Sequence, residues 1–227
     1  MNDSTVMVVE DDDAERELIS LTLRSEGYEV LEASDGPSAI DLCDDAAPSL
    51  VLLDVGLGSM NGIEVCRTLR GRSDAPVLFL TGRHDEIDEL VALAAGGDGY
   101  LRKPISPRVL VAHVGAILSR CTPMAGEAPL SVLGNLTLDP LDRRVRVDGE
   151  VVDLTRMEFD LLLCLMHAPK RVLTRTELAE NLWGTVYVTD HAIEALVSRL
   201  RSKILKAGGP SVVSSVRGVG YRLGVAS

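Results

Sequence analysis

No apolar run in this chain approaches the roughly 18 residues needed to cross a bilayer, and the opening Met1-Asn2-Asp3-Ser4-Thr5 lacks the basic start of a secretory signal. Neither a membrane span nor an export leader is therefore expected, and a soluble, cytoplasmic protein is. The four cysteines, Cys43, Cys66, Cys121 and Cys164, are scattered, with no CxxC pair and no His/Cys cluster at zinc-ligand spacing. That spacing argues against a structural zinc centre and a disulfide framework, leaving reduced thiols that fill small apolar spaces. The chain also lacks an overall positive charge: 23 Lys and Arg face 34 Asp and Glu, a net charge of −11.

That acidity is uneven. Residues 1 to 122 hold 10 basic and 22 acidic side chains, a balance of −12, whereas residues 123 to 227 hold 13 and 12, a balance of +1. At 227 residues the chain is comfortable for two cores. From residue 187 onward, Arg199, Arg201, Lys203, Lys206, Arg217 and Arg222 outnumber Asp190 and Glu194, so an acidic chain carries a basic end suited to an anionic partner.

The first half alternates short apolar runs with longer amphipathic segments, the pattern of βα units in a parallel sheet. Strands are expected at Val6–Val9, Glu29–Ala33, Leu50–Leu53, Val77–Leu80 and Tyr100–Arg102. Helices are expected near Ala14–Ser25, Pro37–Ala46, Ile63–Arg70, Glu86–Ala95 and Pro107–Ser119, the first with an apolar stripe of Leu18, Ile19, Leu21 and Leu23. Residues 121–129, rich in Pro, Gly and small side chains, read as a linker between a domain at 1–120 and another at 130–227. The second domain opens with short strands and a hairpin turn at Asp148-Gly149. Three helices follow, capped or preceded by Thr155, Thr174 and Asp190. Two final strand-like runs, Val212–Val216 and Tyr221–Val225, flank Arg217-Gly218-Val219-Gly220. Helices followed by a basic hairpin describe a winged helix-turn-helix.

Ligands of open α/β sheets collect at the carboxyl ends of strands, and Glu10, Asp11, Asp54, Thr81 and Lys103 all fall there. Carboxylates at two strand ends offer hard oxygen ligands for a cation such as Mg²⁺. An aspartate that accepts a phosphoryl group needs cations to neutralise the transferring oxygens, and a metal with a lysine suffices. An aspartyl-phosphate phosphohydrolase would use similar groups but places a second aspartate two positions after the nucleophile, and here that position is Gly56. Multiple-turnover hydrolysis is therefore not expected.

Val9-Glu10-Asp11, Leu52-Leu53-Asp54, Met60-Asn61-Gly62, Leu80-Thr81 and Lys103-Pro104 together resemble the receiver domain of two-component response regulators. The resemblance implies a flavodoxin-like, doubly wound five-stranded parallel sheet. It also implies that Asp54 is phosphorylated by a sensor histidine kinase and that Mg²⁺ is held by Glu10, Asp11, Asp54 and the Gly56 carbonyl. Thr81 and Lys103 then act on the phosphoryl group, and Tyr100 is the aromatic switch that follows Thr81. Gly58 and Gly82 depart from the family's usual proline and alanine, and Val109, His113 and Gly115 stand where relatives carry the charges that pair subunits. Dimerisation through the fourth and fifth helices is accordingly expected to be weak, and an alternative reading is DNA binding that depends little on phosphorylation.

The second domain resembles the winged-helix effector of the OmpR/PhoB family, through Leu154-Thr155, Glu158-Phe159, Leu182-Trp183-Gly184, Ser198-Arg199-Leu200-Arg201 and Val216-Arg217-Gly218-Val219-Gly220-Tyr221. The expected partner is double-stranded promoter DNA, bound by a homodimer. Its expected contacts are His191, Glu194, Ser198, Arg199, Arg201, Lys203, Arg217 and Tyr221, with Arg199 reading a guanine edge, Arg201 and Lys203 on phosphates, and Arg217 in a minor groove. By resemblance the loop from Trp183 to Thr189 touches RNA polymerase.

Overall fold

A computed structural model describes residues 4–58, 60–82, 86–119, 130–184 and 189–224, and divides into two compact units, Met1–Leu118 and Ser119–Ser227. In the first unit five strands, β1 (Thr5–Val9), β2 (Glu29–Ala33), β3 (Leu50–Asp54), β4 (Val77–Thr81) and β5 (Gly99–Arg102), form one parallel sheet in the order β2-β1-β3-β4-β5. Between and after them run α1 (Asp13–Ser25), α2 (Gly36–Ala46), α3 (Gly62–Arg70), α4 (Glu86–Ala94) and α5 (Pro107–Ser119). The central strands are apolar without alternation because helices cover both faces, and Val6–Val9 and Leu50–Leu53 are all buried.

Short polar side chains set where the helices begin. Asp12 accepts from the Glu15 amide at 2.9 Å, Asp35 from the Ser38 amide at 2.9 Å, and Asn61 from the Ile63 amide at 2.9 Å. The dense acidic run after β1 thus includes one helix cap, with Asp13 and Glu15 in the favourable first turn. The Leu18–Leu23 stripe of α1 only partly turns inward. Leu23 is fully buried, but Leu18 is 61% and Leu21 57% exposed. Ser20 takes a fully buried place instead, because the helix offers the sheet only a narrow face. His113, expected on an outward face of α5, is buried and its Nδ1 lies 3.0 Å from the Val109 carbonyl oxygen. Gly115 is partly buried, and an added Cβ there would lie 3.4 Å from the Tyr28 hydroxyl. Val109 alone of those three is strongly exposed.

The second unit begins with an antiparallel meander of β6 (Ser131–Leu133), β7 (Leu136–Asp139), β8 (Arg144–Val147) and β9 (Glu150–Val152). Asp148 at φ +50° and Gly149 at φ +88° make the tight turn between β8 and β9. Helices α6 (Arg156–His167), α7 (Arg175–Trp183) and α8 (Asp190–Lys206) follow, then β11 (Val213–Val216) and β12 (Gly220–Leu223). The two-residue β10 (Leu173–Thr174), unforeseen in the sequence, pairs with β12, giving a sheet β10-β12-β11. Gly220 is required there, since a Cβ would fall 2.0 Å from the Leu173 carbonyl oxygen. Thr155 and Thr174 build full capping boxes with Glu158 and Glu177. The cap of α8 is Thr189 rather than Asp190, which is already the first helical residue, because the Thr189 hydroxyl receives the Ala192 amide at 3.3 Å.

Cys43, Cys66 and Cys164 are carried as thiols on α2, α3 and α6, and burial pushes the Cys43 thiol above its ordinary pKa. Cys121, the 121–129 segment and Val225 lie outside the described residues. Among the described residues no helix is long and apolar enough to cross a membrane.

Candidate functional site

Parallel register brings the site together. Val9 lies beside Leu53, Asp54 beside Leu80 and Thr81 beside Arg102, so the carboxyl ends of β1, β3, β4 and β5 open onto one edge. Glu10, Asp11, Asp54, Gly82 and Lys103 line an open depression there, together with Glu15 of α1. Asp54 is the last residue of β3 and is buried. The start of α3 presses on its backbone: a Cβ on Gly62 would lie 2.0 Å from the Asp54 carbonyl oxygen, so only glycine permits this approach. On the side-chain end, Asp54 Oδ2 accepts from the Gly56 amide at 2.5 Å.

Lys103 reaches into the pocket from beyond β5, its amide donating to the Thr81 carbonyl oxygen at 2.7 Å and its bond to Pro104 cis. Its Nζ lies 2.8 Å from Asp54 Oδ1, 2.5 Å from Glu10 Oε2 and 2.6 Å from Glu15 Oε2. Burial works against the ammonium charge, but the hydrogen bonds to Asp54, Glu10 and Glu15 outweigh it and raise the Lys103 pKa. Lys103 is therefore a fixed cation. Burial raises the pKa of Glu10, with the Asp54 charge adding to it and the Lys103 contact opposing it. Single carboxylate oxygens of Glu10, Asp11 and Asp54 all lie within 4.8 Å of one another, a hard-oxygen set that fits a small divalent cation. Thr81 is buried at the end of β4, and Tyr100 on β5 packs partly buried against the apolar core beside Phe79. Glu15 escaped the sequence reading; its one signal is a position in the first turn of α1, three residues after the Asp12 cap.

Gly58 and Gly82 have space around them. A Cβ on Gly58 would sit 3.6 Å from Asp11 Oδ2, an ordinary contact, and one on Gly82 would meet nothing within 4 Å. Neither glycine is demanded by packing.

In the second unit α8 presents His191, Glu194, Ser198 and Ser202 on its accessible side, over a buried row of Ile193, Leu196, Val197, Leu200 and Ile204. The arginines and lysines are less available than their positions in sequence suggest. Arg199 Nε lies 3.2 Å from Glu158 Oε1 and Lys203 Nζ 2.9 Å from Glu158 Oε2, and Glu158 is fully buried on α6. Burial pushes Glu158 up, but the bond and charge of Lys203, the Thr155 amide and Arg199 outweigh it and hold the carboxyl below its usual value of 4.5. The expected guanine contact of Arg199 therefore meets a guanidinium already turned inward. Arg201 is likewise engaged, with Nε donating to the Val213 carbonyl oxygen at 2.9 Å and Nη2 to the Ser215 hydroxyl at 2.9 Å, tying α8 to β11.

Tyr221, expected at the DNA surface, is buried at 4% exposure under the Arg175 guanidinium, 5.7 Å from its ring centroid. An apolar ring between β10 and β11 completes the packing of the small sheet, which a surface position would not. Arg175 also reaches Asp190 at 3.3 Å and Glu194 at 3.2 Å, joining the starts of α7 and α8. Arg217 is exposed in the β11–β12 turn. Most of the loop from Trp183 to Thr189 lies outside the described residues, and Trp183 itself is buried.

A doubly wound parallel domain with an acid and lysine pocket, followed by a winged helix, defines a DNA-binding response regulator. Residues 6–115 match the response regulator receiver domain, and residues 149–223 the C-terminal domain of transcriptional regulatory proteins. The chain is 39% identical over 221 residues to the DNA-binding response regulator MtrA of Mycolicibacterium smegmatis, covering 96% of each. It is 41% identical over 222 residues to the response regulator MprA of Mycolicibacterium vanbaalenii, again covering 96% of each. A solved RitR mutant is similar at a TM-score of 0.77 and 29% identity, covering 98% of this chain and 100% of that one. The OmpR/PhoB homologue DrrB of Thermotoga maritima is similar at a TM-score of 0.52 and 29% identity, covering 97% and 99%. This chain belongs to the OmpR/PhoB-type response regulators.

Proposed function

We propose that Asp54 takes a phosphoryl group from the phosphohistidine of a sensor kinase, and that this controls binding of α8 and the β11–β12 wing to promoter DNA. The observation that carries the reading is a buried carboxylate at a strand end, 2.8 Å from a lysine ammonium and within 4.8 Å of two further carboxylates. An Asp54 oxygen forms the new bond to phosphorus as the bond from phosphorus to the imidazole nitrogen breaks, the electron pair leaving with the nitrogen. Lys103 neutralises phosphoryl oxygens, the Gly56 amide orients the carboxylate, and the Thr81 hydroxyl binds the product. Tyr100 follows the movement of Thr81. Glu10, Asp11, Asp54 and the Gly56 carbonyl would hold Mg²⁺, which supplies further neutralisation of the transferring oxygens.

The DNA reading rests on α8 as the major-groove helix, with His191, Glu194 and Ser198 toward bases and Arg217 toward a minor groove. Arg199, Arg201, Lys203 and Tyr221 then act by holding helix, wing and α6 together. The protein acts in the cytoplasm and binds DNA as a homodimer, its loop after Trp183 meeting RNA polymerase, and the receiver loses its phosphoryl group by slow hydrolysis. The alternative is DNA binding that depends little on phosphorylation, motivated by the absence of charge at Val109, His113 and Gly115.

Incubation with acetyl phosphate and Mg²⁺, followed on a phosphate-affinity gel, tests the reading. A shifted band that disappears in Asp54→Ala and with a chelator is expected, together with tighter promoter binding by the shifted form. A shift that survives Asp54→Ala refutes the assignment of the phosphoacceptor.

A further inference from the structure

An ammonium group has three hydrogens to donate, and at Lys103 all three meet carboxylates: Glu10 at 2.5 Å, Glu15 at 2.6 Å and Asp54 at 2.8 Å. Two of these carboxylates come from strand ends. The third comes from a helix. Glu15 comes from the first turn of α1 and its side chain is 48% exposed, whereas that of Glu10 is 2% exposed. A phosphoryl group on Asp54 adds charge and oxygens beside an ammonium with no hydrogen to spare, so its three contacts must be shared out anew. Glu10 is 2% exposed and sits among the groups that would hold Mg²⁺, so it stays in the pocket whichever cation it faces. Releasing Glu15 returns a half-exposed carboxylate to water, at the small cost typical of exposed pairs.

We propose that Glu15 is a positioning residue for phosphoryl transfer: it holds Lys103 in the resting pocket and is displaced as the phosphoryl group arrives, so that it restrains phosphorylation of Asp54. The inference rests on Asp54 being the phosphoacceptor. With acetyl phosphate as donor, the bond from an Asp54 oxygen to phosphorus forms as the bond to the acetate oxygen breaks, and the pair leaves with acetate. The side chain passes from one negative charge to two, and Lys103 must turn toward the new charge. Glu15 opposes that turn by holding the ammonium.

The test is the rate of phosphorylation of the full-length protein by acetyl phosphate with Mg²⁺, in wild type, Glu15→Gln and Glu17→Gln. Glu17 is an exposed acid on the same helix and controls for the loss of one negative charge. Glu15→Gln is expected to be phosphorylated about two- to fivefold faster, the range set by an exposed ion pair, with Glu17→Gln matching wild type. In protein free of Mg²⁺, the NMR signal of the Lys103 ammonium should broaden in Glu15→Gln alone, as one hydrogen is released to water. A rate in Glu15→Gln equal to or below wild type overturns the inference, as does an equal gain in Glu17→Gln. When wild type is labelled through Asp54 and Glu15→Gln behaves no differently, only the role of Glu15 falls. When no form is labelled, the phosphoacceptor reading falls with it.

Discussion

Replacing Glu158 with glutamine keeps the side-chain volume and removes one charge from a site where two cations from α8 converge. The carboxylate is fully buried, Arg199 is 16% exposed and Lys203 37% exposed, so the guanidinium loses its bond to Glu158 in a largely dry setting while the ammonium can turn toward water. Breaking a buried pair by removing one partner costs about 3–5 kcal/mol, and partial exposure of Lys203 reduces this to about 2–4 kcal/mol. For a unit of this size that is a fall in Tm of roughly 10–20 °C for the C-terminal transition, measured by circular dichroism or calorimetry. The pH dependence follows from the lowered Glu158 pKa. Its stabilisation is complete above the unfolded value of 4.5 and is lost as pH falls through the lower folded value, so the deficit of Glu158→Gln should be largest near neutrality and shrink below pH 4.5. A deficit under about 1 kcal/mol at pH 7, or one that stays constant down to pH 3, refutes the network as a source of stability. Promoter affinity separates the two roles of Arg199. A guanidinium that reads a base would be freed by Glu158→Gln and bind DNA more tightly, whereas an anchoring one gives weaker binding.

Gly62→Ala should destabilise the receiver by at least about 2 kcal/mol in chemical unfolding, because its Cβ would collide with the Asp54 carbonyl, while Gly82→Ala should stay within about 0.5 kcal/mol of wild type. Arg70 donates to the Gly96 carbonyl at 2.8 Å and the Ala75 carbonyl at 2.5 Å and pairs with the buried Asp98. Arg70→Ala is therefore expected to cost about 3 kcal/mol in the same assay, and a loss below 1 kcal/mol would contradict the assigned partners. Arg175→Gln releases Asp190 and Glu194 at the start of α8 and should weaken promoter binding about fivefold by fluorescence anisotropy, with little change in receiver phosphorylation.

The parallel sheet was readable because β1, β3 and β4 carry apolar runs that end in, or are followed at once by, polar side chains, and that same ending marks the site. Asp54, Glu10, Asp11 and Lys103 fall together for this reason, without any long-range information. What periodicity could not give was the width of each helix face in contact. Leu18 and Leu21 share helical spacing with Leu23 yet remain exposed, and His113 is buried although its residue type favours the surface. Arg199 and Lys203 show a related limit: their partner Glu158 lies on another helix, and no pattern within α8 announces it. The pairing of Glu15 with Lys103 spans 88 positions in the chain and was invisible for the same reason. Thr189 and Asp190 are both good caps, and the choice of Thr189 for α8 turned on one hydrogen bond, from the Ala192 amide to the Thr189 hydroxyl.

Arg201 joins α8 to β11 through both a backbone oxygen and a hydroxyl, so the helix and the wing share one rigid mount. Such a mount works as a calliper with a fixed gap. On the proposed reading, in which α8 faces bases and Arg217 a groove, the stretch of duplex between them must have a constant length at every bound site. Promoters that differ in sequence should agree in this spacing, and a single inserted base pair there should be harder to accommodate than any single base change.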